Sequence, residues 1–242
     1  MSSGTTAVDV LDVSKAFGVP VVEGMTFSVA AGEAVGIVGP NGAGKTTLLN
    51  LIAGDLSPDQ GRIELFGSDV TRTRAEARCR AGLGRTSQIP RPFEGLTVFE
   101  NVLVGATFGS GLRGKAAAAL AVEAIEQSGM GSKSNTMAGS LGLLDRKRLE
   151  LARALATRPK VLLLDEIAGG LTEAEVQQLV EKIREIHADG VTILWIEHIV
   201  HALLAVVGRI MAMSFGRKIA EGDPHDVMAS TAVREVYLGV VD

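Results

Sequence analysis

The nine residues from Gly39 to Thr47, GPNGAGKTT, constrain this chain more than any other stretch. They fit the pattern G-x-x-x-x-G-K-[ST], with Gly39, Gly44, Lys45 and Thr46 in register. The apolar run Ala34-Val35-Gly36-Ile37-Val38 precedes them and reads as a buried strand; Lys45 to Ala53 follows and reads as a helix. A glycine-rich turn between a strand and a helix is an anion cradle. Glycines let successive backbone N–H groups curl around a phosphate without Cβ clashes. The helix N-terminus adds partial positive charge. In such a turn Lys45 reaches the β- and γ-phosphates of a nucleotide, and the Thr46 hydroxyl faces Mg²⁺.

A length of 242 residues suits one large α/β domain, or one domain carrying an inserted subdomain. An apolar content of 46% is enough for a sizeable core. The net charge of −4 gives no electrostatic case for nucleic acid as a partner. Cys79 is the single cysteine, so neither a disulfide framework nor a cysteine metal cluster is expected, and a reducing, cytosolic setting fits. Met1 to Thr6 is small and polar and does not read as a signal peptide. No run reaches the roughly 18 apolar residues that span a bilayer. The nearest, Val191 to Met213, is broken by Glu197, His198, His201 and Arg209.

Hydrophobic patterning predicts strands at Val8–Val13, Val21–Val29, Arg62–Phe66 and Leu83–Ser87, with a helix at Thr73–Ala81. Two helices, Thr97–Ala106 and the alanine-rich Lys115–Gln127, then interrupt the alternation. Ile89 to Leu144 therefore reads as an inserted helical subdomain. Alternation resumes with a helix at Arg146–Ala156, a strand at Val161–Leu164, a helix at Glu173–Ala188 and a strand at Thr192–Ile196. A hairpin, Arg209–Ser214 and Arg217–Glu221, turns at Phe215-Gly216. Strands alternating with helices predict a mostly parallel sheet covered by helices.

Three further positions carry chemistry. Val161 to Leu164 runs into Asp165 and Glu166; behind a phosphate loop, the first acid suits Mg²⁺ and the second can act as general base on water. His198 follows the strand Thr192–Ile196 and can donate a hydrogen bond to a terminal phosphate. Gln88 sits where the chain leaves for the helical insertion; its amide suits Mg²⁺ or the attacking water and can couple nucleotide state to subdomain position. Phe17 is either an adenine-stacking ring or a core aromatic. His187, His201 and His225 have no comparable context.

With these elements in order, the chain resembles an ABC-family ATPase subunit, and most closely the ATP-binding subunits of importers for branched-chain (hydrophobic) amino acids and related solutes. The finer resemblance rests on Gly84-Arg85-Thr86-Ser87-Gln88 with Leu96-Thr97-Val98-Phe99-Glu100-Asn101-Val102, on Arg148 to Ala156, RLELARALA, and on the tail segments Ile219 to Pro224 and Val236 to Gly239. The resemblance implies an α/β P-loop NTPase fold with an ABC ATPase-type mostly parallel sheet. It adds an N-terminal antiparallel β element and an inserted α-helical subdomain: one domain over 1–242, with 1–88 and 145–242 as ATP-binding core and 89–144 as the insertion. It implies that Phe17, Gly39, Asn41, Gly42, Ala43, Gly44, Lys45, Thr46, Thr47 and Gln88 bind ATP, that Thr46, Gln88 and Asp165 face Mg²⁺, and that Glu166, His198 and Lys45 are catalytic. The partners it implies are a second ATPase subunit, the same or different, and two membrane-spanning permease subunits, with an extracytoplasmic solute-binding protein reached indirectly. The place it implies is peripheral, on the cytoplasmic face of the plasma membrane.

One motif departs from the family. The signature, usually LSGGQ, is replaced by Leu141-Gly142-Leu143-Leu144-Asp145. Gly142 removes the serine hydroxyl, Leu143 and Leu144 replace two glycines, and Asp145 adds negative charge. By its local chemistry Asp145 reads as the N-cap of a helix starting at Arg146, with Arg146, Lys147 and Arg148 as a solvated basic face or as an offset to the acid. Ile167 stands in the place of a usual proline, and Thr172 in that of an asparagine or aspartate. The damaged motif leaves open a regulatory subunit that binds nucleotide but hydrolyses slowly. A soluble ABC ATPase outside transport fits less well, because the chain has no second P-loop and no sustained heptads.

Overall fold

The structure, a computed structural model, describes residues 5–238. Gly239 of the tail segment and the opening residues 1–4 lie outside the described residues. The chain begins with two long antiparallel strands, β1 (Thr6–Ala16) and β2 (Pro20–Ala30), then β3 (Ala34–Val38) and helix α1 (Lys45–Ala53). Strands β4 (Gln60–Leu65) and β5 (Ser68–Asp69) follow, then α2 (Ala75–Arg80) and β6 (Leu83–Arg85). A helical stretch comes next: α3 (Val98–Val104), a π-helical turn at Gly105–Gly109, α4 (Gly114–Gln127) and α5 (Leu143–Leu155). The chain closes with β7 (Val161–Asp165), α6 (Glu173–Ala188), β8 (Thr192–Ile196), α7 (Val200–Leu204), β9 (Arg209–Ser214), β10 (Arg217–Gly222), α8 (Pro224–Ala229) and α9 (Thr231–Leu238).

The larger sheet has the order β10-β9-β3-β8-β7-β6 and is parallel except for the β9–β10 hairpin. Its strands β3, β7 and β8 are buried at every position, as expected where helices or strands cover both faces. Alternation along them divides the core. Leu162, Leu164, Ile193 and Trp195 join one cluster with α5, α6 and the helical block, including Val102, Ala121 and Ile125. Val161, Leu163, Leu194 and Ile196 join a second cluster with α1 and the antiparallel sheet β2-β1-β4-β5. Helix α1 is thereby packed between two sheets. Capping boxes start α3 and α6: Thr97 and Thr172 accept from the backbone of Glu100 and Glu175, whose carboxylates accept in return.

The structure differs from the sequence reading in several places. Strand β6 stops at Arg85, two residues early, and Thr86 N–H donates instead to Leu163 O at 3.0 Å. Helix α5 starts at Leu143, not at Arg146, with Gly142 as N-cap. Asp145 is therefore inside the first turn, paired with Lys133 and Arg148, and is not a cap. The basic face is not solvated throughout either: Lys147 is buried, and its ammonium reaches the Glu166 carbonyl beyond β7. The sequence reading also passed over α7, α8 and α9, whose short lengths leave little periodicity to detect.

Arg78 holds the far end of α1. Its buried guanidinium donates to Leu51 O at 2.7 Å, Ile52 O at 2.8 Å and Thr73 O at 2.9 Å. Carbonyls at a helix C-terminus have no intrahelical donor and favour a cation. Arg78→Leu is expected to lower unfolding stability by about 2–3 kcal/mol, read in urea as an earlier midpoint at unchanged slope.

Candidate functional site

The carboxyl ends of β3, β7 and β8 lie side by side, and the loops that leave them build one site. The loop from β3 turns through Gly39 (φ 153°), Gly42 (φ 81°) and Gly44 (φ 94°) into α1. A Cβ on Gly39 would lie 2.3 Å from Met213 O, and one on Gly44 2.3 Å from Val21 O, so both positions require glycine for space as well as for conformation. Gly216 N–H pins the loop by donating to Ala43 O at 3.1 Å. No side chain caps the start of α1, and its first turn holds no acid. Its leading N–H groups are left for an anion.

Lys45 is buried, and its ammonium donates to Gly39 O at 2.7 Å and Pro40 O at 3.0 Å. Burial holds its pKa below the usual lysine range, opposed by the charges of Glu166 and Asp165. Val21, Asn41, Gly42, Ala43, Gly44, Lys45, Thr46, Thr47 and Glu166 line a cleft of about 210 Å³. A second cleft, sharing Thr46, brings in Gln88, Arg85 and Asp165. The residues singled out across a span of more than a hundred positions thus meet around one hollow.

Asp165 ends β7 at 1% exposure. Arg85 Nη2 donates to its Oδ2 at 3.1 Å, whereas Oδ1 is buried without a partner. Burial raises its pKa, and the Arg85 guanidinium and Lys45 oppose the rise. An orphaned carboxylate oxygen beside a threonine hydroxyl and an amide is a donor set that suits a hard cation. Among the described residues no group of three His, Cys, Asp or Glu side chains could hold a metal alone.

Glu166 leaves the strand in a left-handed conformation, φ 47°, with its N–H on Ile196 O at 2.9 Å. Its carboxylate is gripped on both sides. Gln88 Nε2 donates to Oε2 at 2.5 Å, and His198 Nε2 lies 2.7 Å from Oε1. A carboxylate only accepts, so the proton of that contact sits on His198 Nε2.

Other expected residues lie apart from this hollow. Phe17 is 55% exposed on the β1–β2 turn with the Lys15 ammonium 5.5 Å from its ring centre, which removes the core reading. Leu141 and Gly142 lead into α5, which Leu143, Leu144 and Asp145 open, and none of the five lines either cleft; Leu143 reaches toward Gly170. His201 pairs with Glu173, and His187 Nε2 is 3.0 Å from Gly32 O. Sequence reasoning assigned no role to Arg85, Val21 or Glu197. Arg85 was visible only as one letter in a family segment, because its partners Asp55 and Asp165 lie 30 and 80 positions away.

Residues 22–169 match the family described as "ABC transporter". The chain belongs to that family. The tail, residues 217–242, matches "Branched-chain amino acid ATP-binding cassette transporter". This ABC ATPase is 38% identical over 225 residues to a "Probable ABC transporter ATP-binding protein" of Azorhizobium caulinodans, an alignment spanning 92% of this chain and 79% of the relative. It is 38% identical to the "Nod factor export ATP-binding protein I" of Burkholderia lata, over 95% of this chain and 76% of that one. It is 34% identical to the "Lipopolysaccharide export system ATP-binding protein LptB" of Escherichia coli, over 94% and 95%. Among solved structures, the ADP conformation of an ATP-binding cassette of an ABC transporter superposes with a TM-score of 0.89 at 29% identity, over 97% of this chain and 99% of that one. A nucleotide-free cassette superposes at 0.88 with 28% identity, over 98% and 100%. The fold is that of the P-loop NTPase cassettes, and the chain is an ATP-binding ATPase subunit of a transporter. No helix among the described residues is long and apolar enough to cross a membrane.

Proposed function

We propose that this ABC ATPase drives an importer for branched-chain amino acids or a related small solute. In this reading it pairs with a second ATPase subunit, docks on two permease subunits at the cytoplasmic face of the membrane, and meets the solute-binding protein only through them. The observation that carries hydrolysis is the Glu166 carboxylate held between Gln88 and His198 at the mouth of the phosphate loop. The match of residues 217–242 to the branched-chain cassette family supports the solute class.

In this reading each residue of the site has a role. Backbone N–H groups of Asn41 to Thr47 and the Lys45 ammonium bind the phosphates, and Phe17 stacks on adenine from its exposed turn. Thr46, Asp165 and Gln88 would hold Mg²⁺, which would supply positive charge against the negative phosphates. Glu166 accepts the proton of the attacking water, and Gln88 and His198 fix its carboxylate. His198 can turn its Nε2–H to the γ-phosphate. Residues 89–144 form the inserted helical subdomain between core segments 1–88 and 145–242. The segment Ile89 to Asn101, which follows Gln88, belongs to the permease-docking surface, beside a groove of about 410 Å³ lined by Arg85, Arg91, Phe108 and Arg153.

The altered signature makes the proposed dimer asymmetric. The chain's own phosphate loop, carboxylates and histidine are intact, whereas Leu141 to Asp145 serves ATP held by the partner. Asp145 is neutralised by Lys133 and Arg148, but Gly142 offers no hydroxyl and Leu143 and Leu144 block close backbone approach. ATP on this subunit is therefore expected to turn over in a heterodimer while the partner's ATP turns over slowly. Single-turnover assays with each subunit's catalytic glutamate changed in turn check this; loss only on changing the partner's glutamate overturns it.

Export is a second reading, favoured by the names of the Nod factor and lipopolysaccharide relatives. Co-purifying the membrane subunits and measuring labelled leucine movement in vesicles separates the two. ATP-dependent uptake with a solute-binding protein supports import; outward movement without one supports export.

A further inference from the structure

Lys147 is a cation that the proposed chemistry leaves unused. It lies at the start of the second turn of α5 and is 4% exposed. Its ammonium donates to the main-chain carbonyl of Glu166 at 3.3 Å. Burying a lysine without compensation is costly, and burial here pushes the Lys147 pKa below its ordinary value, opposed by the charges of Glu197 and Glu166. Glu197 is buried more deeply, at 1% exposure. One of its oxygens accepts the Ala168 N–H at 3.0 Å, and the other accepts the His198 N–H at 3.0 Å. A single carboxylate therefore ties the backbone just beyond Glu166 to the backbone of His198. A single ammonium ties α5 to the backbone of Glu166 itself.

The tie falls on a strained residue of the site. Glu166 is a non-glycine residue at φ 47°, a conformation costing on the order of 1–2 kcal/mol that persists only where the surroundings impose it. Its own N–H is fixed by Ile196 O, and its carbonyl accepts from Gly169 N–H at 3.2 Å as well as from the Lys147 ammonium. The conformation so held aims the carboxylate between Gln88 and His198.

We propose that Lys147 is a positioning residue for the Glu166 carboxylate and couples α5 to it. This rests on the reading of Glu166 as the general base. Since Leu141 and Gly142 lead into α5 and Leu143 to Asp145 open it, a shift of that segment against the partner subunit reaches Glu166 of this chain through Lys147.

Four full-length variants, K147M, K147Q, K147R and E166Q, assayed with the membrane subunits that co-purify, test the proposal. Fluorescent ATP binding counts competent sites, and turnover is expressed per bound nucleotide. K147M is expected to bind ATP within about twofold of the parent yet turn over about 10- to 100-fold more slowly, the scale for a misplaced catalytic group. K147R, which restores a cation, is expected to recover most of the loss. A purely structural role would lower thermal stability and leave turnover per bound nucleotide unchanged, and that result overturns the proposal. If K147M does not fold, the comparison of K147Q with K147R decides in the same way. E166Q separates the two levels. If E166Q is inactive and K147M is normal, only this inference falls; if E166Q keeps normal turnover, the reading of the site falls and this inference with it.

Discussion

Lys45→Ala is expected to abolish steady-state ATP hydrolysis and to weaken ATP binding about 10- to 100-fold, the worth of a lost hydrogen bond to a charged group. The ammonium is already in place and desolvated: it is buried and rests on the Gly39 and Pro40 carbonyls. A triphosphate offers it a far better acceptor than two carbonyl oxygens. Nothing else in the cleft replaces it, since Asn41 to Thr47 contribute backbone N–H groups and short side chains, and Glu166 repels an anion. Alanine leaves the glycine turn intact, so the fold survives, and near-parental thermal stability is the control. Calorimetry of ATP binding and phosphate release in the assembled complex measure the two effects. Parental activity in Lys45→Ala would refute the assignment of the phosphate site.

The second large effect is expected at Glu166. Glu166→Gln should reduce turnover by about 10²- to 10⁴-fold, the range for loss of a general base, while ATP binding is kept or tightened. The two halves have different causes. The amide cannot accept a proton from water, whereas it removes a negative charge from beside the γ-phosphate site. Glutamine keeps the shape, and its carbonyl oxygen still accepts one of the two flanking contacts from Gln88 and His198. His198→Ala in parallel distinguishes base from brace. It leaves the carboxylate present but held on one side only, so its loss of turnover should be smaller. A larger loss in His198→Ala than in Glu166→Gln would move the decisive role to the histidine.

How much of this site was legible in the sequence depends on how local each feature is. The phosphate loop was readable because its chemistry is contiguous: strand, glycines, lysine and helix follow one another in the chain, and the loop's conformation needs those residues wherever it occurs. Strands β7 and β8 were readable because burial on both faces produces unbroken apolar runs, and the acids after them stood out against those runs. Lys147 was misread for the opposite reason. In sequence it stands between Arg146 and Arg148, and three consecutive bases look like a solvated face. Only the packing of α5 shows that the middle one turns inward. Asp145 was misread as a cap because it precedes the strongest helix-forming run, whereas the helix starts three residues earlier, where Leu144 packs against the core while Leu143 stays exposed.

The sequence by itself determined the anion cradle, the alternation of strands with helices and the candidates for base, metal acid and histidine. Tertiary structure alone decided which of them touch. Gln88 and Glu166 are 78 positions apart, His198 and Glu166 32, and Arg85 and Asp165 80. They meet because β3, β8, β7 and β6 pair in parallel, in an order unlike their order along the chain. Parallel pairing gathers the carboxyl ends of the strands on one edge, and ligand sites in such sheets form there. Residue spacing encodes contacts within a turn of helix or a pair of strand positions; contacts across the sheet depend on which strands are neighbours, and that is settled by the burial of both faces at once.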